Sequence, residues 1–62
     1  MEKLMRERAA AELLRISLRT LQRWRVQGYG PKFIKLGGRV VYSEADLERF
    51  VDENRHQSTS DR

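Results

Sequence analysis

The chain has no cysteine, a single histidine, a single proline and a single tryptophan in 62 residues, and each scarcity removes a class of explanation. Without cysteine, neither a disulfide nor a thiolate metal site can staple the fold. The lone histidine, His56, lies in a polar stretch and cannot hold a zinc ion by itself. It also leaves no serine–histidine or cysteine–histidine arrangement for nucleophilic catalysis. The acids read as helix caps and surface groups rather than a pair facing a pocket, and so short a chain builds little cleft. The expectation is a non-enzyme with no metal, cofactor or small-molecule ligand. No apolar run approaches the roughly 20 residues of a membrane span. The opening MEKLMRER lacks the apolar region of a signal peptide, so a cytoplasmic location is expected. A chain of this length buries only about 60% of its unfolded surface, so close packing and bound partners must carry its stability.

Negative charge is missing from the middle of the chain. Between Leu13 and Tyr42 stand Arg15, Arg19, Arg23, Arg25, Lys32, Lys35 and Arg39, with no acid among them. From Ser43 onward the balance reverses, with Glu44, Asp46, Glu48, Asp52, Glu53 and Asp61 set against Arg49, Arg55 and Arg62. The net charge of +4 is therefore the remainder of two segregated blocks. Ordinary surfaces intersperse the signs, whereas a segregated positive block is the footprint of a phosphate-binding face.

The centre of that block, SLRTLQRWRVQG over Ser17–Gly28, has the form of a recognition helix. Ser17 can cap the first turn with its hydroxyl, and Gly28 suits the left-handed turn that ends many helices. Leu18, Leu21 and Trp24, with the aliphatic stem of Arg25, make one apolar stripe at helical spacing. Arg19, Gln22 and Arg23, flanked by Thr20 and Gln27, make the other face, with the paired donors and acceptors that match base edges and phosphates. Trp24 continues the buried stripe, so packing is favoured over stacking on a base. An acidic protein and an anionic membrane are the two rival partners for such a helix; the caps and the hairpin that follows speak for a folded domain over a membrane-surface peptide.

The rest of the chain frames this helix. RERAAAELL over Arg6–Leu14 is a strong helix former, with Ala10, Leu13 and Leu14 on one face, Leu4 or Met5 extending it, and Glu7 and Glu12 outside. Met1–Met5 carries no clear cap and is expected to be loose at its start. Arg15-Ile16-Ser17 then makes a turn of helix-turn-helix dimensions. Tyr29-Gly30-Pro31 breaks the second helix. Phe33–Leu36 and Arg39–Tyr42, joined by Gly37-Gly38, form a hairpin whose tip carries Lys35 and Arg39. The pattern leaves open which strand face turns inward. Ser43 and Asp46 make a capping box for a third helix over about Glu44–Asn54, with Ala45, Leu47, Phe50 and Val51 as its apolar positions. The expected fold is mostly α with a small β-hairpin: one domain over residues 1–54 and a flexible polar tail over 55–62.

In order, AAELLRIS, SLRTLQRW and GYGPKFIKLGGRVVYSEADLERFV resemble the excisionase-like winged-helix family, a relative of the MerR-type DNA-binding domain that includes phage excisionases and AlpA-like regulators. The more specific marks are Ser17 and Thr20 with Trp24, the Gly-Pro entering the hairpin, and Tyr42-Ser43 with Asp46-Leu47. The resemblance covers roughly Ala9 to Val51. It implies a winged helix-turn-helix: helix, recognition helix in the major groove of double-stranded DNA, two-stranded wing near the minor groove, and C-terminal helix. Ser17, Arg19, Thr20, Gln22 and Arg23 would then belong to the recognition helix, and Lys35, Gly37, Gly38 and Arg39 to the wing. Arg15, Arg25 and Lys32 would add phosphate contacts. Arg15 stands where the family often has a turn glycine, which implies a less tight turn. The resemblance further implies a protein of a phage or mobile element in a bacterial cell, one that binds attachment-site DNA, bends it and biases an integrase toward excision. The absence of an appended effector domain leans toward this role over a small AlpA-like transcriptional regulator, the alternative. Head-to-tail self-association on DNA is permitted by the basic face and the acidic third helix.

Overall fold

The computed structural model describes residues 2–57. Its elements run β1 (Leu4–Arg6), α1 (Glu7–Leu14), α2 (Leu18–Gln27), β2 (Ile34–Leu36), β3 (Arg39–Ser43) and α3 (Glu44–Glu53). Three helices stand with a small antiparallel sheet ordered β1-β3-β2, consistent with a winged helix-turn-helix.

Local chemistry sets most boundaries. The Ser17 hydroxyl accepts the Thr20 amide N–H at 3.0 Å, and the Ser43 hydroxyl accepts that of Asp46 at 3.0 Å, so α2 and α3 both start on a serine cap. At the end of α2, Gly28 takes φ 76°. Tyr29 N–H reaches back to the Trp24 carbonyl at 2.9 Å, the bond that closes a Schellman turn. The two rings of that turn meet edge to face with centroids 5.0 Å apart. Gly37 and Gly38 both have positive φ, 54° and 81°, which a two-residue hairpin turn requires.

Five expectations are corrected. The segment before α1 is neither loose nor an extension of the helix. Leu4, Met5 and Arg6 pair with Ser43, Tyr42 and Val41, so the wing hairpin is part of a three-stranded sheet. Pairing satisfies backbone groups along β3 that would otherwise lie on an open edge, and Glu44 N–H donates to the Lys3 carbonyl at 2.9 Å. In α1, Ala10 and Ala11 are buried while Leu13 is exposed, because small side chains let an eight-residue helix approach its neighbours closely. Glu7 is not an outer residue: its mostly buried carboxylate pairs with Arg25 at 2.8 Å. In α3, Leu47 is fully buried and Phe50 half-buried, whereas Ala45 and Val51 turn outward. The turn after α1 is not loosened by the missing glycine. Arg15 itself adopts the left-handed conformation, φ 62° and ψ 39°. Its N–H meets the Glu12 carbonyl at 3.1 Å, and Ile16 N–H meets that of Ala11 at 3.0 Å.

The core is Ala10, Ala11, Leu21, Tyr42 and Leu47, with Met5, Leu14, Ile16, Trp24 and Val40 packed against it. Ile16 thus fills the core from the turn, and Tyr42 with Val40 fixes which face of β3 looks inward. Trp24 is half-buried between Tyr29 and Phe50 rather than displayed to solvent. No helix among the described residues is long and apolar enough to cross a membrane. The last five residues of the polar tail, 58–62, lie outside the described residues, as does Met1.

Candidate nucleic-acid interface

Helix α2 turns Leu21 into the core, so the positions on its far side must face solvent. Arg19 and Arg23, four apart, are exposed and stand one above the other there. Gln22 is exposed beside them. Among the described residues no acid pairs with Arg19 or Arg23, leaving two full charges available. Ser17 and Thr20 are bound to each other at the helix start, the Ser17 hydroxyl donating to the Thr20 hydroxyl at 2.9 Å, so their first task is to hold the cap.

The approach of β1 and the wing to α2 makes a groove lined by Arg6, Glu7, Arg8, Leu18, Gln22, Arg39 and Val40. Arg39 is thereby brought to the same groove as Gln22. Lys35, exposed, lies opposite Val40, and Leu36 lies opposite Arg39, so the two wing cations occupy neighbouring rows that alternate between faces of the hairpin. Gly37 and Gly38 are exposed at the tip, where a Cβ on either would meet nothing within 4 Å. Arg6 and Arg8 are cations that sequence patterning did not assign to this surface. The signal that finds them is the pairing of Arg6 with Val41, which carries the start of α1 to the wing.

The groove also holds an acid. Glu7 accepts a bond from Nε of Arg25 at 2.8 Å, and Nε2 of Gln22 donates to its other oxygen at 3.4 Å. The Arg25 guanidinium further lies over the Phe33 ring, 5.7 Å from its centroid. A guanidinium paired through Nε with one carboxylate and seated on a ring braces α2. Buried Tyr42 faces the same pair. Its phenol is pushed above the ordinary value, chiefly by burial and then by Glu7, with Arg25 opposing. Lys32 lies elsewhere: it lines a depression with Asp46, Arg49 and Glu53 of α3, apart from the α2–wing groove. Arg15 is exposed at the turn entering α2.

No curated protein and no solved structure matches the chain significantly. A family of helix-turn-helix domains matches residues 4–55, a span that runs from β1 through α3. The chain therefore belongs to this helix-turn-helix domain family, which includes excisionase-like and AlpA-type small DNA-binding proteins, and it is a small sequence-specific DNA-binding domain.

Proposed function

We propose that the protein is an excisionase-type architectural factor of a phage or mobile element: it binds attachment-site DNA as a cooperative array, bends it, and directs an integrase toward excision. The observation that carries this proposal is the separation of charge across the fold. Arg19 and Arg23 on α2, with Arg39, Arg6 and Arg8 around the groove, present one sign. Helix α3 presents the other through Glu44, Asp46, Glu48, Asp52 and Glu53, relieved by Arg49 alone. Two such protomers laid in line on a duplex set an acidic helix against a basic neighbour, so each bound copy favours the next. A row of protomers neutralising phosphates on one side of the duplex stabilises a bend.

In this assignment Arg19, Thr20, Gln22 and Arg23 read the major groove, with Ser17 fixing the helix start. The Gly37-Gly38 tip carries Lys35 and Arg39 along the adjacent minor groove or phosphate ridge, its small residues leaving room for the backbone. Arg15 adds a phosphate contact at the turn. The protein breaks no bond itself; its family is typically non-enzymatic.

The test is a gel-shift titration on circularly permuted fragments of the element's attachment region, with promoter DNA and random DNA alongside. A ladder of cooperative shifts whose mobility depends on permutation supports the proposal. A single unbent shift confined to promoter DNA would replace it with a transcriptional regulator. Binding no stronger than to random DNA would return the basic face to an acidic protein partner.

A further inference from the structure

One residue of the α2 outer face cannot make a hydrogen bond. Val26 is 79% exposed, more than any other large apolar residue among those described. The other exposed apolar side chains at this end of the fold have ring partners: Tyr29 meets Trp24 and Phe50, and Phe33 meets Tyr42. An isolated surface valine ordinarily carries no message. This one sits one helical turn beyond Gln22 and Arg23 and two turns beyond Arg19, on a face otherwise built from arginine and glutamine. A β-branched residue at a solvent-facing helical position also gains nothing from propensity.

We infer that Val26 reads the C5-methyl group of a thymine in the major groove and so sets the base preference at one position of the target site. The inference rests on the proposed placement of α2 against DNA. Its chemistry is selective, because the thymine methyl is the one apolar group that base edges display in that groove. Its reach is sufficient: Arg19 to Val26 spans about 10.5 Å along the helix axis, or about three base-pair steps of 3.4 Å. Arginines at one end of the stripe and a methyl contact at the other would make α2 distinguish a guanine-bearing pair from a thymine-bearing one a few steps away.

The test uses the full chain. Duplexes are selected from a random pool by the wild type and by Val26→Ala, which keeps the helix because alanine is the better helix former. Each thymine of the wild-type consensus is then replaced in turn by deoxyuridine, which removes only the methyl, and Kd is measured at fixed salt. The expected result is one thymine whose replacement weakens wild-type binding about four-fold, the fold-change equivalent to one buried methyl, with Val26→Ala binding both duplexes equally. If no thymine shows this effect, or if Val26→Ala keeps the same sensitivity, the inference is overturned while DNA recognition by α2 stands. If the wild type selects no site at all, the placement of α2 fails and this inference falls with it.

Discussion

Replacing Arg15 by glycine should stabilise the fold and weaken DNA binding at once. Arg15 closes α1 with φ 62° and ψ 39°, and among the described residues it is the one non-glycine residue with positive φ. An L-residue in the left-handed region costs about 1–2 kcal/mol from the approach of Cβ to the carbonyl oxygen. Glycine escapes that cost but surrenders about 0.5–1 kcal/mol of extra freedom on folding. Taken at mid-range, the difference is a net gain of about 0.7 kcal/mol for Arg15→Gly, within limits of about 0 and 1.5. The closing bonds, Arg15 N–H to Glu12 O and Ile16 N–H to Ala11 O, belong to the backbone and survive the substitution. For a domain of this size, 1 kcal/mol moves Tm by about 4–8 °C. Thermal denaturation followed by circular dichroism at 222 nm, without DNA, should therefore show a Tm several degrees higher. Arg15→Val should move it the other way, because a β-branched side chain is least tolerant of positive φ. A Tm for Arg15→Gly at or below the wild type would refute the claim that this turn holds strain. Salt-dependent DNA affinity should fall in the same variant if Arg15 meets a phosphate, so the two roles separate by sign.

Gly30→Ala should destabilise the fold by at least about 1 kcal/mol, because φ is +96° and an added Cβ would stand 3.0 Å from Cε3 of Trp24; urea unfolding followed by Trp24 fluorescence reads this directly. Arg23→Ala should cost about 1–3 kcal/mol on the selected site and relax its sequence preference. Arg39→Ala should weaken all sequences alike and reduce the slope of log affinity against log salt by about 1. Tyr42 sets an alkaline limit. Its folded-state value lies above the ordinary 10.0, so its contribution is complete below pH 10.0 and is lost as pH rises from there through the folded value. Tyr42→Phe should flatten that part of the stability profile, at whatever overall cost the lost hydroxyl brings.

The parts of the fold legible in the sequence were those with local causes. Ser17 and Ser43 announce helix starts because a cap needs only the hydroxyl and the next three residues. Gly28 and the Gly37-Gly38 pair announce reversals because positive φ is a property of single residues. The outward placement of Arg19, Gln22 and Arg23 follows from the 3.6-residue period alone. What escaped was non-local. β1 is three residues without a pattern of its own, and its partner Tyr42 lies far along the chain from Met5. Such a segment reads as a loose lead, and the placement of Arg6 and Arg8 is hidden with it. Leu13 looked like core because it is larger than Ala11, but proximity between α1 and its neighbours, not hydropathy, decided which residue went inside. At Arg15 the absence of glycine suggested a looser turn; two backbone bonds outweigh the strain of one residue.

Glu7 shows most plainly how a small domain joins stability to recognition. In the proposed DNA-facing groove, a carboxylate that stood free would repel phosphates. Here its side chain is 16% exposed and bound to Arg25, itself 25% exposed, so the pair is a nearly neutral unit. The ion pair makes Arg25 a strut between the first turn of α1 and the last turn of α2. Among the described residues, five buried apolar side chains help fix the angle between those helices and the sheet. The strut adds a polar link where two of the buried side chains, Ala10 and Ala11, are single methyl groups. In the proposed assignment Arg19 and Arg23 reach base edges while Arg39 arrives on the wing, so the angle is itself a binding parameter. The acid in the basic groove is therefore consistent with DNA binding: it sets the relative placement of the cations that remain free.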